Sequence, residues 1–307
     1  MSHSMPLPTA RVFQPILRRL STLMVFTQSA IVVTGASVRL TGSGLGCSTW
    51  PECTPGSYTP TPEQPEAPIH AWIEFGNRLL TFVLLLNALA LFLAIILLKA
   101  RELRLLGALQ ILGILAQGVL GGITVLTGLN PATVAGHFLL SIIIIAAALS
   151  LRQKIHGKTP TQTRLAPLTI TIGRIALLLT ILVITMGTVV TGSGPHAGDV
   201  TAARFDLDAK TVSWIHADLV IALIGITVAL LIAVKLGESA ATSQYWGRKV
   251  RTFSALILAQ GAIGYIQYFT GLPEIIVAAH ICGAILVWLS AWNLTITGNL
   301  LRSTRRG

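Results

Sequence analysis

Two histidines, His137 and His280, occupy matching places in the two halves of this 307-residue chain. Each closes a segment, 117–137 or 260–280, in which Gln, Gly, Gly and Thr-Gly-Leu recur in the same order. Both segments are otherwise apolar, and an imidazole buried there without a partner costs free energy. A duplicated histidine in such surroundings predicts duplicated ligand chemistry.

Other polar residues are predicted at the depth of these two histidines. His137 and His280 each lie about 9 Å from the external start of their helix, at 1.5 Å per residue. His216, Glu74 and Asn77 reach the same level in two further apolar segments. A lone histidine in a membrane helix is more often a hydrogen-bonded core residue, whereas three at one depth favour ligands. Neutral imidazole is a common axial ligand of haem iron, and a four-helix bundle can hold a porphyrin between its helices.

The residues predicted to face the two repeated histidines differ in their ability to ligate iron. His216 and His280 predict axial ligation of one iron in the second half, an arrangement that suits electron transfer. In the first half, His137 is expected to face Asn77, which aligns with His216 and is a poor axial ligand. A porphyrin in that half would therefore have one weakly held or open face, which suits a substrate. Zinc is disfavoured, because no third or fourth ligand with suitable spacing is found.

Glu74 lies three residues before Asn77, so the two share one helix face. The simplest role for its carboxylate is an ion pair with Arg78, four residues later. Because Glu74 shares the depth of the histidines, we favour a group that moves a proton or stabilises a cation beside a cofactor.

Cys47 and Cys53 lie in a segment that the topology places outside the membrane. Five intervening residues on the oxidising side predict a disulfide. A structural role and a redox role are both open for it.

Composition identifies the elements that must position these residues. Hydrophobic residues make up 53% of the chain and charged residues only 11%, which is typical of an integral membrane protein. Eight apolar stretches are long enough to span a bilayer, at roughly 20 residues each. They lie near residues 17–40, 70–98, 103–127, 131–151, 168–192, 211–235, 250–270 and 274–298.

The net charge of +11 does not indicate nucleic-acid binding, because the basic residues form short clusters between apolar runs. Most of them fall on one side of the predicted topology, near residues 11–19, 99–104, 152–174, 235–251 and 302–306. The excess of Lys and Arg in cytoplasmic loops then places both termini in the cytoplasm. The histidine layer lies toward the external side.

The repeat extends beyond the histidines, since Thr-Gly-Ser-Gly occurs at 41–44 and again at 191–194. Four spans in each repeat is an even number, so both halves insert in the same sense. We predict an all-α membrane protein of two four-helix bundles related by a pseudo-twofold axis. Residues 1–155 would carry the substrate site and the external disulfide loop, and residues 156–307 the closed haem site.

Together these motifs resemble the haem A synthase family through nearly the whole chain, and the set is specific although each piece alone is weak. The resemblance implies a haem b held by His216 and His280, and a substrate haem O near His137, Asn77 and Arg78. It implies oxidation of the C8 methyl of haem O to a formyl group by successive hydroxylations and loss of water, with Glu74 catalytic. The product would supply terminal oxidases.

The same resemblance implies a bacterial cytoplasmic membrane protein whose partners include haem O synthase and a redox protein, with a homo-oligomer left open. It implies that a disulfide between Cys47 and Cys53 is important for activity or for passing reducing equivalents. One departure is clear: many family members have His where this chain has Asn77.

Two other functions compete with this one. A non-catalytic dihaem electron carrier predicts two bis-histidine sites, and the chain offers histidines for only one. A repeat-built transporter predicts broken helices at the midplane, whereas the polar layer lies near one surface.

Overall fold

The computed structural model describes residues 8–62, 67–157 and 165–301. Within these ranges the chain forms eight long α-helices and no β-strand, which confirms the predicted helical class. The helices are α1 (Pro8–Leu40), α2 (Pro68–Leu97), α3 (Arg104–Leu126), α4 (Pro131–His156), α5 (Pro167–Ser193), α6 (Ala209–Gly237), α7 (Ala240–Phe269) and α8 (Glu274–Thr297). A short 3₁₀ turn, Arg101–Leu103, leads into α3.

Local sequence signals account for several helix starts. Proline begins α2, α4 and α5, where its missing N–H would have no intrahelical acceptor. Asp208 caps α6 by accepting hydrogen bonds from the Thr211 backbone N–H at 2.7 Å and the Thr211 hydroxyl at 2.6 Å. These hydrogen bonds from Thr211 lower the pKa of the Asp208 carboxyl below its ordinary value.

The two Thr-Gly-Leu turns have the same backbone form. Gly128 and Leu129 after α3, and Gly271 and Leu272 after α7, all have positive φ between 58° and 78°. The N–H of each leucine reaches back across the helix end, to the carbonyl of Thr124 in one turn and of Gln267 in the other. This closure caps the helix and reverses the chain within a few residues.

Seven of the described helices are long and apolar enough to cross a membrane, as expected for a multi-pass membrane protein. The remaining one, α7, has sufficient length, but glutamines at 260 and 267 and basic residues near its start make it less apolar. The predicted span at 250–270 therefore stays a prediction. The repeat of four helices in each half and the cytoplasmic location of the termini also stay predictions. Residues 1–7 and 302–307 lie outside the described ranges.

The chain divides into two compact units. The first comprises Met1–Leu129 and Gly136–Lys158, and the second Asn130–Ala135 and Thr159–Gly307.

Each unit has an apolar core in the part of its helices that is away from the histidines. In the first unit Met24, Leu91 and Leu151 are fully buried, in the middle of α1 and toward the ends of α2 and α4. In the second unit Leu230 and Trp246 are fully buried, near the end of α6 and the start of α7. The predicted histidine layer lies at the opposite end of these helices.

Candidate functional site

Glycine provides the space beside each of the two repeated histidines. A Cβ added to Gly121 on α3 would lie 3.3 Å from Cε1 of His137 on α4. A Cβ added to Gly264 on α7 would lie 3.2 Å from Cε1 of His280 on α8. Interiors are close-packed, so a larger side chain at either glycine would push the imidazole away. The repeated glycines therefore fix where the two rings lie.

In the first two helices of each unit, a glycine on the first helix also lies beside a polar side chain on the second. A Cβ added to Gly187 on α5 would lie 3.4 Å from Cε1 of His216 on α6. A Cβ added to Gly35 on α1 would lie 3.7 Å from Nδ2 of Asn77 on α2. Asn77 in the first unit thus has the packing that His216 has in the second.

Within the second unit, α6 and α8 each pack against both α5 and α7. His216 lies seven residues after the start of α6, and His280 lies six residues after the start of α8. The two histidines expected to ligate one iron are therefore near the starts of two helices of the same bundle.

The three imidazoles fit a haem iron. His137, His216 and His280 are half-buried, and Nδ1 of each is enclosed by protein, with the Val183 backbone of α5 beside the His216 ring. Nε2 is then the nitrogen that each ring offers to a ligand, and neutral imidazole is a common axial ligand of haem. No group of three or more His, Cys, Asp or Glu in the described ranges is arranged to hold a bare metal ion.

Glutamine fixes the backbone that carries two of these histidines. Gln117 Nε2 donates to the His137 carbonyl at 3.0 Å and to the Ser141 hydroxyl at 2.6 Å. Gln260 Nε2 donates to the His280 carbonyl at 2.7 Å. The recurring Gln of the sequence motif therefore ties α3 to α4 and α7 to α8 at the level of the histidine.

Glu74 is buried near the start of α2, with both carboxylate oxygens bonded. Arg78 Nη2 donates to Oε1 at 2.6 Å, and the Cys47 backbone N–H donates to Oε2 at 2.7 Å. The ion pair between Glu74 and Arg78 is thus present. The two donors stabilise a negative charge that would be costly in this setting without a partner.

Arg78 also binds the loop that the disulfide closes. The Cys47–Cys53 disulfide is present, as predicted, and both cysteines are fully buried. Arg78 donates to the carbonyl oxygens of Cys47, Thr49 and Glu52 at 3.0–3.1 Å. Its described contacts are therefore with Glu74 and this loop, and its predicted contact with a substrate haem stays a prediction.

Trp50, from the middle of the same loop, packs against α3. Ring atoms Cε2 and Cγ of Trp50 would lie only 2.7 and 2.8 Å from a Cβ added to Gly122. The neighbouring Gly121 faces His137, so the loop reaches the helix turn that positions this histidine. In the second unit Tyr265 occupies the place of Gly122 in the repeated segment, and its side chain is exposed.

The second unit holds the corresponding loop, between α5 and α6, by different contacts. Arg204 donates to the carbonyl oxygens of Gly194 and Pro195 at 2.7 and 2.8 Å. The Phe205 ring packs against Gly192, where a Cβ would lie 2.6 Å from it. This loop contains no cysteine. The loops that follow the first helix of each unit are therefore held by different contacts.

The sequence does not predict one contact of the first unit, between Thr34 and Asn77. Thr34 Oγ1 donates to Asn77 Oδ1 at 2.8 Å, joining α1 to α2 at the level of the site. Thr34 is one of several hydroxyl residues of α1, and nothing in its spacing distinguishes it from the other threonines of that helix.

The chain matches a family model and is similar to several named proteins. A family model described as cytochrome oxidase assembly protein, COX15-CtaA, matches residues 18–292. The chain is similar to a protein named Heme A synthase of Bacillus pumilus, at 35% identity over 155 residues and 48% of each chain. It is also similar to a protein of that name from Lysinibacillus sphaericus, at 40% identity over 39% of each chain. A third, from Halalkalibacterium halodurans, is 34% identical over 44% of this chain and 45% of the relative. The matched segments span about half the length of these curated relatives or less.

Proposed function

Because the chain belongs to the COX15-CtaA family of cytochrome oxidase assembly proteins, we propose that it is a haem A synthase. It would oxidise the C8 methyl of haem O to a formyl group by successive hydroxylations followed by loss of water. The first unit would bind the substrate and the second would hold haem b. Haem O synthase and a membrane redox protein are the proposed partners, and the haem sites face the external side of a bacterial cytoplasmic membrane.

His216 and His280 would hold haem b as its two axial ligands. Their buried Nδ1 atoms, and the glycines that leave room beside each ring, support this assignment. When bound, haem b supplies one-electron transfer. Gln260 contributes by fixing the backbone of α8 at His280, which limits the movement of this ligand.

His137 would ligate the iron of the substrate and orient its porphyrin. The Gln117 hydrogen bonds fix the backbone at His137, and Gly121 provides the space for its ring. A rigid ligand holds the reacting methyl in one position, which lowers the entropic part of the barrier.

Glu74 would stabilise positive charge that develops at the methyl carbon during its oxidation. The observation that carries this proposal is the fixed position of its carboxylate, one helical turn from Asn77, between Arg78 and the Cys47 N–H. A preorganised anion stabilises a developing cation without the cost of reorganising solvent. Arg78 and the disulfide loop would act through Glu74, as positioning groups.

The test is replacement of Glu74 by Gln, which removes the charge and keeps an oxygen that can accept from the Cys47 N–H. The variant is produced in cells that make haem O, and its haems are extracted and separated. We expect haem O to accumulate without haem A while the haem b spectrum stays at the wild-type level.

Arg78→Lys is the matched control, since it keeps the positive charge and loses the multiple hydrogen bonds to the loop. Wild-type amounts of haem A in Glu74→Gln would contradict a catalytic role for the carboxylate. Equal losses in both variants, with loss of haem b, would assign Glu74 to folding alone.

A further inference from the structure

The two ends of the Asn77 amide have different hydrogen bonding within the described residues. Thr34 Oγ1 lies 2.8 Å from Asn77 Oδ1, which is shorter than its 3.1 Å contact with the Ile31 carbonyl in its own helix. The Thr34 proton is therefore directed at the amide oxygen. No described residue accepts a hydrogen bond from Asn77 Nδ2.

The oxygen is the only atom of a neutral asparagine side chain that could ligate iron, because the amide nitrogen has no available lone pair. The Thr34 hydroxyl occupies one lone pair of that oxygen and holds it toward α1, so Asn77 is poorly placed for the ligand role that its counterpart His216 is proposed to have. Its Nδ2 can still donate a hydrogen bond. Gly35 leaves space beside this nitrogen, as Gly187 does beside His216.

We propose that Asn77 Nδ2 is a hydrogen-bond donor toward a small ligand on the iron face opposite His137, and that Thr34 positions the amide for this purpose. This inference rests on the proposed binding of haem O in the first unit. The substrate iron would then have one protein ligand and a polar, open sixth position. The second unit, with histidine on both faces, would have no such position.

Carbon monoxide is a suitable probe, because it binds a ferrous iron with an open position and its stretching frequency responds to a nearby hydrogen-bond donor. Full-length protein purified from cells making haem O is reduced and exposed to CO, and infrared spectra and dissociation rates are recorded. We expect wild-type protein to bind CO in the first unit alone. Asn77→Leu should raise the CO stretching frequency and speed CO dissociation roughly 2- to 10-fold, the equivalent of one hydrogen bond.

Two further variants separate the roles. Asn77→His should provide a second imidazole, abolish CO binding and add a second low-spin signal to the electron paramagnetic resonance spectrum of the oxidised protein. Thr34→Val should shift the CO stretching frequency in the same direction as Asn77→Leu. Thr34→Ser, which keeps the hydroxyl group, should leave the frequency at its wild-type value. Thr27→Val is the matched control, because the Thr27 hydroxyl bonds only to carbonyls of its own helix.

The haem b spectrum of the second unit reports folding in every variant. Identical CO frequencies in wild type, Asn77→Leu and Thr34→Val would overturn the inference and leave the proposed function intact. Two low-spin haems and no CO binding in the wild type would overturn it as well, by showing that another group closes the face. Protein that binds no haem O in the first unit would reject the proposed function itself.

Discussion

The indole of Trp50 packs directly against Gly122, so a residue of the disulfide loop contacts α3 next to Gly121, the glycine beside His137. Arg78 and Glu74 hold the loop on α2 through backbone groups on both sides of Trp50. The loop therefore bridges α2 and α3 at the site end of the first unit. Any change that moves the loop is therefore expected to move both Glu74 and the part of α3 that packs beside His137.

Gly122→Ala should displace the loop, because the added methyl group would overlap the Trp50 ring. Overpacking of this kind costs about 1–3 kcal/mol. We expect a lower midpoint of thermal unfolding in detergent and faster reduction of the Cys47–Cys53 disulfide. Gly118→Ala is the control, since a Cβ there meets nothing within 4 Å. If both variants behave alike, the Trp50 contact does not hold the loop.

Gly264→Ala should reduce the haem b content of the purified protein, because the added methyl group would lie 3.2 Å from Cε1 of His280 and displace the imidazole. Gly261→Ala, one turn earlier on α7, should retain haem b, as a Cβ there has no neighbour within 4 Å. The haem b content per protein is measured from the reduced absorption spectrum. Equal retention in the two variants would argue against His280 as a ligand held by Gly264.

Arg78→Ala should destabilise the first unit strongly, since it leaves the buried Glu74 carboxylate without its cation and removes three hydrogen bonds to the loop. Breaking one side of a buried ion pair costs roughly 3–5 kcal/mol, and the retained Cys47 N–H places the expected value at the lower end. The midpoint of thermal unfolding in detergent measures it. The double variant Glu74→Gln with Arg78→Ala should recover part of the loss; no recovery would show that the ion pair is not the source.

Thiol labelling should count at most one reactive cysteine in the native protein, Cys282 on the surface of the apolar helix α8, and three after unfolding with reductant. Cys282 is exposed, whereas Cys47 and Cys53 are buried in their disulfide. A maleimide reagent and intact mass measurement give both numbers. Three labelled cysteines in the native, unreduced protein would contradict the disulfide.

The sequence alone predicts the helices and the turns well, because apolar runs of membrane length and Thr-Gly-Leu before a new helix are local signals. The disulfide follows from the spacing of Cys47 and Cys53 and their predicted side of the membrane. The asymmetry between His216 and Asn77 is also visible, because the two residues align once the repeat is recognised.

Other features depend on how helices and loops meet. Gly35 lies six residues before the motif at 41–44, whereas Gly187 lies four residues before the motif at 191–194. The difference arises because α1 ends at Leu40, before its motif, while α5 continues to Ser193. Aligning the two motifs therefore does not align the two glycines. The Trp50 and Arg78 contacts depend on a loop conformation that no local pattern specifies.

The position of the apolar cores has an evolutionary consequence. Met24, Leu91 and Leu151 stabilise the end of the first unit that is remote from His137 and Asn77, and Trp246 does the same in the second unit. Substitution of a site residue then removes little of the burial that keeps the helices together. The two halves can thus acquire different ligands while keeping one architecture, and an asparagine opposite a histidine is a change that such a scaffold tolerates.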